Sequence, residues 1–408
     1  LNQNNNRASI EFIFLFLDKL IQQIMKKTTK RLWIALVVVF VIAVYVLMPG
    51  YTWKALVYQK VGIDDYPIFY NREISTGTPQ EWPTNNKLQG FRLDDSTLNA
   101  FNELQTIAFL VIKNGSIIFE QYWDGYGANS QTNSFSMAKS IIGLLVGAAM
   151  DDGYIQNLDQ PVADFIDSYR NAENQGLTIR HLLTMSSGLN WDESYGSLFS
   201  TTTEAYYGKD INKLIYSLKM VEKPGVEFKY LSGNTQLLAA IVEKATGKKV
   251  GDYAAEKFWK PMGAVNPALW CLDRKDGMEK AYCCFNSNAR DFARWGQLVL
   301  NQGVWKGDTL ISPEYVRLAT QPANNLMDET GNAIDYYGYQ WWIQHLNGEP
   351  VPYMRGILGQ YVFVIPSQNA VVVRLGHLRS EDKKNHHPMD TYLYLETAEK
   401  ILKEFELR

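Results

Sequence analysis

Hydrophobic positions along this chain fall into blocks of different period. The first block, residues 32–53, carries no charge and contains LWIALVVVFVIAVYVLM, a run about as long as a hydrocarbon core is thick. Lys26, Lys27, Lys30 and Arg31 precede it, which predicts an uncleaved single-pass anchor over 32–53. Residues 1–31 then form a cytoplasmic tail, and the chain after Pro49 is exported at the cell membrane. No small-x-small cleavage pattern follows, which weighs against a removed signal peptide. FIFLFL at 12–17 is broken by Asp18 and Lys19 and is too brief to span. The stretch from Met25 reads as a complete membrane-targeting start, so residues 1–24 are expected to be a mis-assigned one.

Residues 54–90 lack a period and are rich in Pro, Asn, Thr and Gly, which predicts a strap or linker. Apolar runs at 107–112 and 117–123 flank Asn114-Gly115, the pair that accepts a two-residue hairpin turn. A helix is expected from Ser136, apolar nearly all round between Ile141 and Met150. Helical spacing then recurs in TIRHLLTM, KDINKLIYSLKM, NTQLLAAIVEKATG and NARDFARWGQLVLNQG, with Gly247 and Gly303 placed as C-caps. Strand patterns return in YGYQWWIQ and in GQYVFVIPSQNAVVVRLG, where residues 366–369 supply a turn, and a last amphipathic helix covers 389–405. Strands at both ends with helices between describe an α+β domain over 91–408: an antiparallel sheet built by both termini, with a helix-rich insertion at about 154–305.

Composition narrows the function classes. With 408 residues, 46% hydrophobic, the chain can bury a large core, and a formal charge of −3 gives no case for nucleic acid as a partner. Cys271, Cys283 and Cys284 are too few, and two of them too close together, for a disulfide framework, and they lack zinc-site spacing, so they are expected to be partly buried thiols. Five scattered histidines form no HExxH pattern, and no metal or cofactor is expected.

The helix predicted from Ser136 opens with Ser136 and Lys139 one turn apart, on one face. A serine at a helix start keeps its backbone N–H free at the positive end of the helix dipole, where an oxyanion would be stabilised. A lysine desolvated beside it can act as a base. Ser-x-x-Lys is common by itself: Ser380 and Lys383 repeat it in LRSEDKKNHH with no apolar helix behind. An N-cap serine with an incidental lysine is the competing reading. No Gly-x-Ser-x-Gly elbow is present.

The surroundings of Ser136 resemble the penicillin-recognising serine hydrolases with the β-lactamase/transpeptidase-like fold. Within them the chain is most similar to the class C β-lactamase-related branch that includes nylon-oligomer (6-aminohexanoate-dimer) hydrolases, esterases and D-amino-acid peptidases. SMAKS, TIRHLLTMSSGLNWDE, FKYLSGNTQLLAAIVEKATG, CCFNSNARDFARWGQLVL and RGILGQYVFVIP carry the resemblance, in order from Phe101 to the C-terminus. It implies Ser136 as acylated nucleophile, Lys139 as its partner, and Tyr230 with Ser232 as the second motif, Tyr230 relaying a proton to the leaving group. The third motif departs: where class C β-lactamases carry Lys-Thr-Gly, this chain has VPYMRGIL, and KATG at 244–247 is a helix end. Arg355 and Gly356 would then face substrate, and the backbone N–H of Ile357 would join that of Ser136 as the oxyanion hole. Tyr195 resembles a substrate-pocket tyrosine of the nylon-hydrolase branch. Asn286, Arg290 and His181 read as structural residues.

The expected function is a serine hydrolase that opens a small amide or ester through an acyl-Ser136 intermediate. The alternatives are a β-lactamase or D-amino-acid peptidase acting on wall peptides, both weakened by the missing Lys-Thr-Gly, and a non-catalytic sensor of wall fragments or β-lactams. The loops at 189–207 and 327–337 would set the substrate.

Overall fold

The computed structural model describes residues 30–408. The expected tail, the start at Met25 and the FIFLFL run lie outside the described residues, apart from the last two residues of the tail. The uncharged block is not one straight helix. A helix covers Lys30–Leu47, and a second, Gly50–Tyr58, follows at 101°. Pro49 separates them, because proline disfavours helix in the residue before it and offers no N–H. Among the described residues no single helix is long and apolar enough to cross a membrane. The second helix lies on the helix Thr201–Tyr207, with Tyr58 stacked on Tyr207.

Besides the short pair Lys383–Lys384 and His387–Pro388, the strands among the described residues are, in chain order, β1 (Tyr70–Ile74), β2 (Thr106–Lys113), β3 (Ser116–Tyr122), β4 (Thr132–Asn133), β5 (Ala268–Leu272), β6 (Phe285–Ser287), β7 (Val304–Trp305), β8 (Asp308–Thr309), β9 (Trp342–Leu346), β10 (Glu349–Gly356), β11 (Gln360–Ile365) and β12 (Ala370–Gly376). The main sheet has the order β3-β2-β12-β11-β10-β9 and is antiparallel throughout. Both ends of the chain therefore build it, as the pattern predicts. Asn114 and Gly115 turn the β2–β3 hairpin with positive φ angles of 50° and 73°.

Alternation along these strands divides two cores. Leu110, Ile112, Val362, Val364, Val371 and Val373 join the larger core with the helix Met137–Asp151. Phe109, Val111, Tyr361, Phe363 and Val372 point the other way, against the C-terminal helix Met389–Leu407. Burial on both faces explains why β2 reads as a nearly continuous apolar run.

A second sheet, β1-β5-β6-β4, escapes the sequence pattern. Its edge strand β1 comes from the expected strap, whose Ile63 and Ile74 are fully buried. The strap is thus part of the folded domain. The insertion holds the helix Ser232–Thr246, which packs on Met137–Asp151, and Gly247 caps it at φ 68° as expected. The cysteine expectation fails: Cys283 and Cys284 form a disulfide with each other, while Cys271 is a buried free thiol.

Candidate active site

The short strand β4 delivers the nucleophile candidate. It pairs with β6, and the next residue, Ser134, donates its N–H to the Phe285 carbonyl at 2.9 Å. The Asn133 side chain then accepts the Phe135 N–H at 2.8 Å, and Phe135 takes a left-handed φ of 44°. That conformation costs a non-glycine residue on the order of 1 kcal/mol or more, and such turns persist only where the surroundings hold them. Ser136 follows at the N-cap of Met137–Asp151 with no capping bond from its side chain. Its hydroxyl is therefore not spent on the helix.

Lys139 is 1% exposed. Its Nζ donates to Ser136 Oγ at 3.1 Å and to the Tyr282 carbonyl at 2.9 Å. The rings of Tyr230 and Tyr282 lie 5.1 Å and 5.4 Å from the ammonium, close enough for cation–π attraction. No carboxylate ion-pairs with Lys139 among the described residues. Two carbonyl or hydroxyl oxygens and two aromatic faces thus replace the counter-ion. The two tyrosines differ in burial. Tyr282 Oη is buried without a hydrogen-bond partner, and burial, then the charge of Glu193, pushes its phenol well above the ordinary range. Tyr230 is only half-buried, just before the helix Ser232–Thr246.

Ser232 donates its backbone N–H and its Oγ to Glu193, at 2.6 Å and 2.7 Å, and Tyr195 Oη donates to the same carboxylate at 2.6 Å. The helix Ser232–Thr246 lacks a side-chain cap of its own at Leu231, so Glu193 supplies the acceptor and the favourable negative charge. Tyr195 is 57% exposed, at the rim. Glu193 was no candidate from sequence, and the signal was thin: a carboxylate two residues before Tyr195.

The end of β10 meets the turn before Ser136. A Cβ built on Gly356 would stand 2.3 Å from the Ser134 carbonyl oxygen and 3.3 Å from Phe135 Cβ. Only glycine permits that approach, and it brings the following Ile357, half-buried against the larger core, into this corner. The buried guanidinium of Arg374 fixes the next turn by donating to the carbonyls of Leu358, at 3.1 Å, and Gly359, at 2.6 Å. Arg355 lies with its guanidinium 3.0 Å from the Trp342 ring centre and donates to the His386 carbonyl, while Trp342 packs on Tyr230 at 5.4 Å. Arg355 is thus held to the aromatic wall beside Tyr230.

The remaining candidates fall in supporting places. Asn286 donates to the carbonyls of Leu269 and Cys284. Arg290 makes a two-point contact with Glu120, both bonds at 2.7 Å. His181 closes a capping box with Thr178.

Known proteins share this arrangement of elements. A family model described as Beta-lactamase matches residues 95–389. The 6-aminohexanoate-dimer hydrolase of Paenarthrobacter ureafaciens is 27% identical over 312 residues, covering 72% of this chain and 79% of that one. Among solved structures, a Bacillus anthracis protein provisionally named a 6-aminohexanoate-dimer hydrolase superposes with a TM-score of 0.70 at 21% identity, covering 82% of this chain and 92% of its own. A family VIII carboxylesterase superposes at 0.61 and 17% identity, covering 79% and 99%. The two superpositions concern the fold.

Proposed function

The chain belongs to the beta-lactamase family, and from that premise we propose that it is a serine hydrolase of the amidase or esterase type, with Ser136 as the acylated residue. The carrying observation is the bond from Lys139 Nζ to Ser136 Oγ at the start of a buried helix, under the ring of Tyr230. In this reading Ser136 Oγ attacks the substrate carbonyl while Lys139 and Tyr230 take its proton. The backbone N–H groups of Ser136 and Ile357 receive the oxyanion. Tyr230 hands the proton to the departing amine or alcohol, and water then releases the acid from Ser136.

The Gly356-Ile357 segment in place of Lys-Thr-Gly supports linear amides and esters over β-lactams, as does the likeness to a 6-aminohexanoate-dimer hydrolase. A panel of a short p-nitrophenyl ester, a linear 6-aminohexanoyl amide and a chromogenic cephalosporin tests this. Steady turnover of the ester or the amide, faster than of the cephalosporin, is expected. A stoichiometric burst without turnover would mark a sensor instead, and preference for the cephalosporin would mark a β-lactamase.

We also propose that the N-terminal apolar segment attaches the domain to a membrane. The exposed Val39, Phe40, Val46 and Leu47 support this, as does the apolar composition of the bent helix pair. Release of the full chain from membranes by alkaline carbonate would contradict it.

A further inference from the structure

The disulfide between Cys283 and Cys284 lies inside the segment that holds the nucleophile turn from behind. Tyr282, just before it, gives its carbonyl to Lys139 Nζ at 2.9 Å. Phe285, just after it, gives its carbonyl to the Ser134 N–H, also at 2.9 Å. Two carbonyls that flank one disulfide therefore grip the two ends of the segment 134–139. Their spacing and direction decide where the lysine amine stands relative to Ser136 Oγ.

The path between those carbonyls is unusual for side-chain-bearing residues. Cys284 has a φ of 71°, a left-handed conformation that a non-glycine residue enters at a cost. The surrounding bonds hold the segment in place. The Cys284 carbonyl accepts from the Cys271 N–H at 3.0 Å and from Asn286 Nδ2 at 2.9 Å. The Cys283 carbonyl accepts from Trp270 Nε1 at 3.0 Å. Both cysteines are buried, at 4% and 0% exposure, so the bond is shielded in the folded chain. A covalent link between neighbours removes backbone freedom at the point where Tyr282 must aim its carbonyl. Among the described residues no carboxylate holds Lys139, and its hydrogen bonds go to that carbonyl and to Ser136 Oγ.

We propose that the Cys283–Cys284 disulfide is a positioning element for Lys139, acting through the Tyr282 carbonyl, so that hydrolysis depends on the bond being closed. The proposal rests on the reading of Ser136 and Lys139 as the reacting pair. Opening the bond with a trialkylphosphine in mild urea, before return to buffer, is balanced chemistry. The phosphine gives up two electrons and becomes its oxide, the S–S bond breaks, and water supplies the oxygen and a proton for each sulfur.

The experiment uses the full chain, a fluorophosphonate probe and a p-nitrophenyl ester. Unreduced wild type, once denatured, should let iodoacetamide reach Cys271 alone. Phosphine-reduced wild type and the double variant Cys283→Ser/Cys284→Ser should be labelled at Ser136 on the order of ten- to a hundredfold more slowly. kcat should fall with them while KM stays within about twofold. Oxidised glutathione should restore the reduced wild type and leave the variant unchanged. Unaltered kcat in the folded double variant overturns the proposal, and so does alkylation of all three cysteines in unreduced protein. Where the variant does not fold, the reduced wild type decides: labelling at the full rate overturns the proposal. Failure of the oxidised wild type to label at all would instead remove the nucleophile assignment, a separate result.

Discussion

Two Ser-x-x-Lys quartets occur in this chain, and their surroundings give them opposite fates. Ser136 and Lys139 sit on the first turn of a helix, where residues three apart share a face, and the amine reaches the hydroxyl at 3.1 Å. Ser380 gives its hydroxyl to the Asp382 carbonyl at 3.2 Å, and Lys383 lies in a two-residue exposed strand paired with Pro388. Residues 380–382 are loop with a bend at Glu381, so no helical turn sets Ser380 and Lys383 on one face. The spacing of the letters is the same; what differs is the period of the backbone beneath them and the burial behind. A motif becomes chemistry when a core fixes one end and leaves the other at a rim.

The largest expected effect breaks that contrast directly. Ser136→Ala and Lys139→Ala should each lower kcat/KM roughly 10⁴-fold or more. Ser380→Ala and Lys383→Ala should stay within about twofold, as surface changes do. Comparable losses at both quartets would end the distinction.

The two tyrosines that face Lys139 sharpen it next. Tyr230→Phe should cost roughly 10²- to 10⁴-fold in kcat, the usual worth of a positioned proton carrier. Tyr282→Phe removes a buried hydroxyl that has no partner and leaves the carbonyl in place. It should leave kcat within a few-fold and hold or raise stability by about 1 kcal/mol. Thermal melts and ester kinetics on the pair check both statements.

Gly356→Ala comes third. Its methyl would meet the Ser134 carbonyl at 2.3 Å, so β10 or the nucleophile turn must shift. A displacement of that order should lower kcat about a hundredfold with a smaller change in KM.

The smallest effect belongs to the segment around Lys383. His387 is buried beside Tyr353 Oη, at 2.8 Å, and burial, then Arg355, His386 and His345, pushes its imidazole down to about 3 from the ordinary 6.5. Between those values the unfolded chain binds a proton that the folded chain refuses, so stability is lost as pH falls through that window. The melting temperature should drop from pH 7 to pH 4 by more in wild type than in His387→Gln. Equal drops would contradict the assignment.

Regular periods made the main sheet, the hairpin at Asn114-Gly115 and the long helices legible in the sequence. The second sheet was not, because β4 and β6 have two and three residues and show no period. The anchor expectation treated 32–53 as one span, and Pro49 is where the structure departs from it. At the site, Ser136, Lys139 and Tyr230 could be named as candidates because their side-chain types suit the proposed chemistry. The carbonyl that holds Lys139 comes from Tyr282, 143 residues away, and a backbone oxygen leaves no trace in residue identity. Glu193 was hidden for a related reason: it caps a helix distant in sequence. The cysteine pair was misjudged because adjacency looked like an obstacle to a bond.

The most direct test of the account is mass spectrometry of the full chain after reaction with a fluorophosphonate, followed by peptide mapping. The account predicts one stoichiometric adduct on Ser136, lost in Ser136→Ala and slowed in Lys139→Ala. A folded wild-type protein with no adduct, or with its adduct on Ser380 or Ser232, would contradict it.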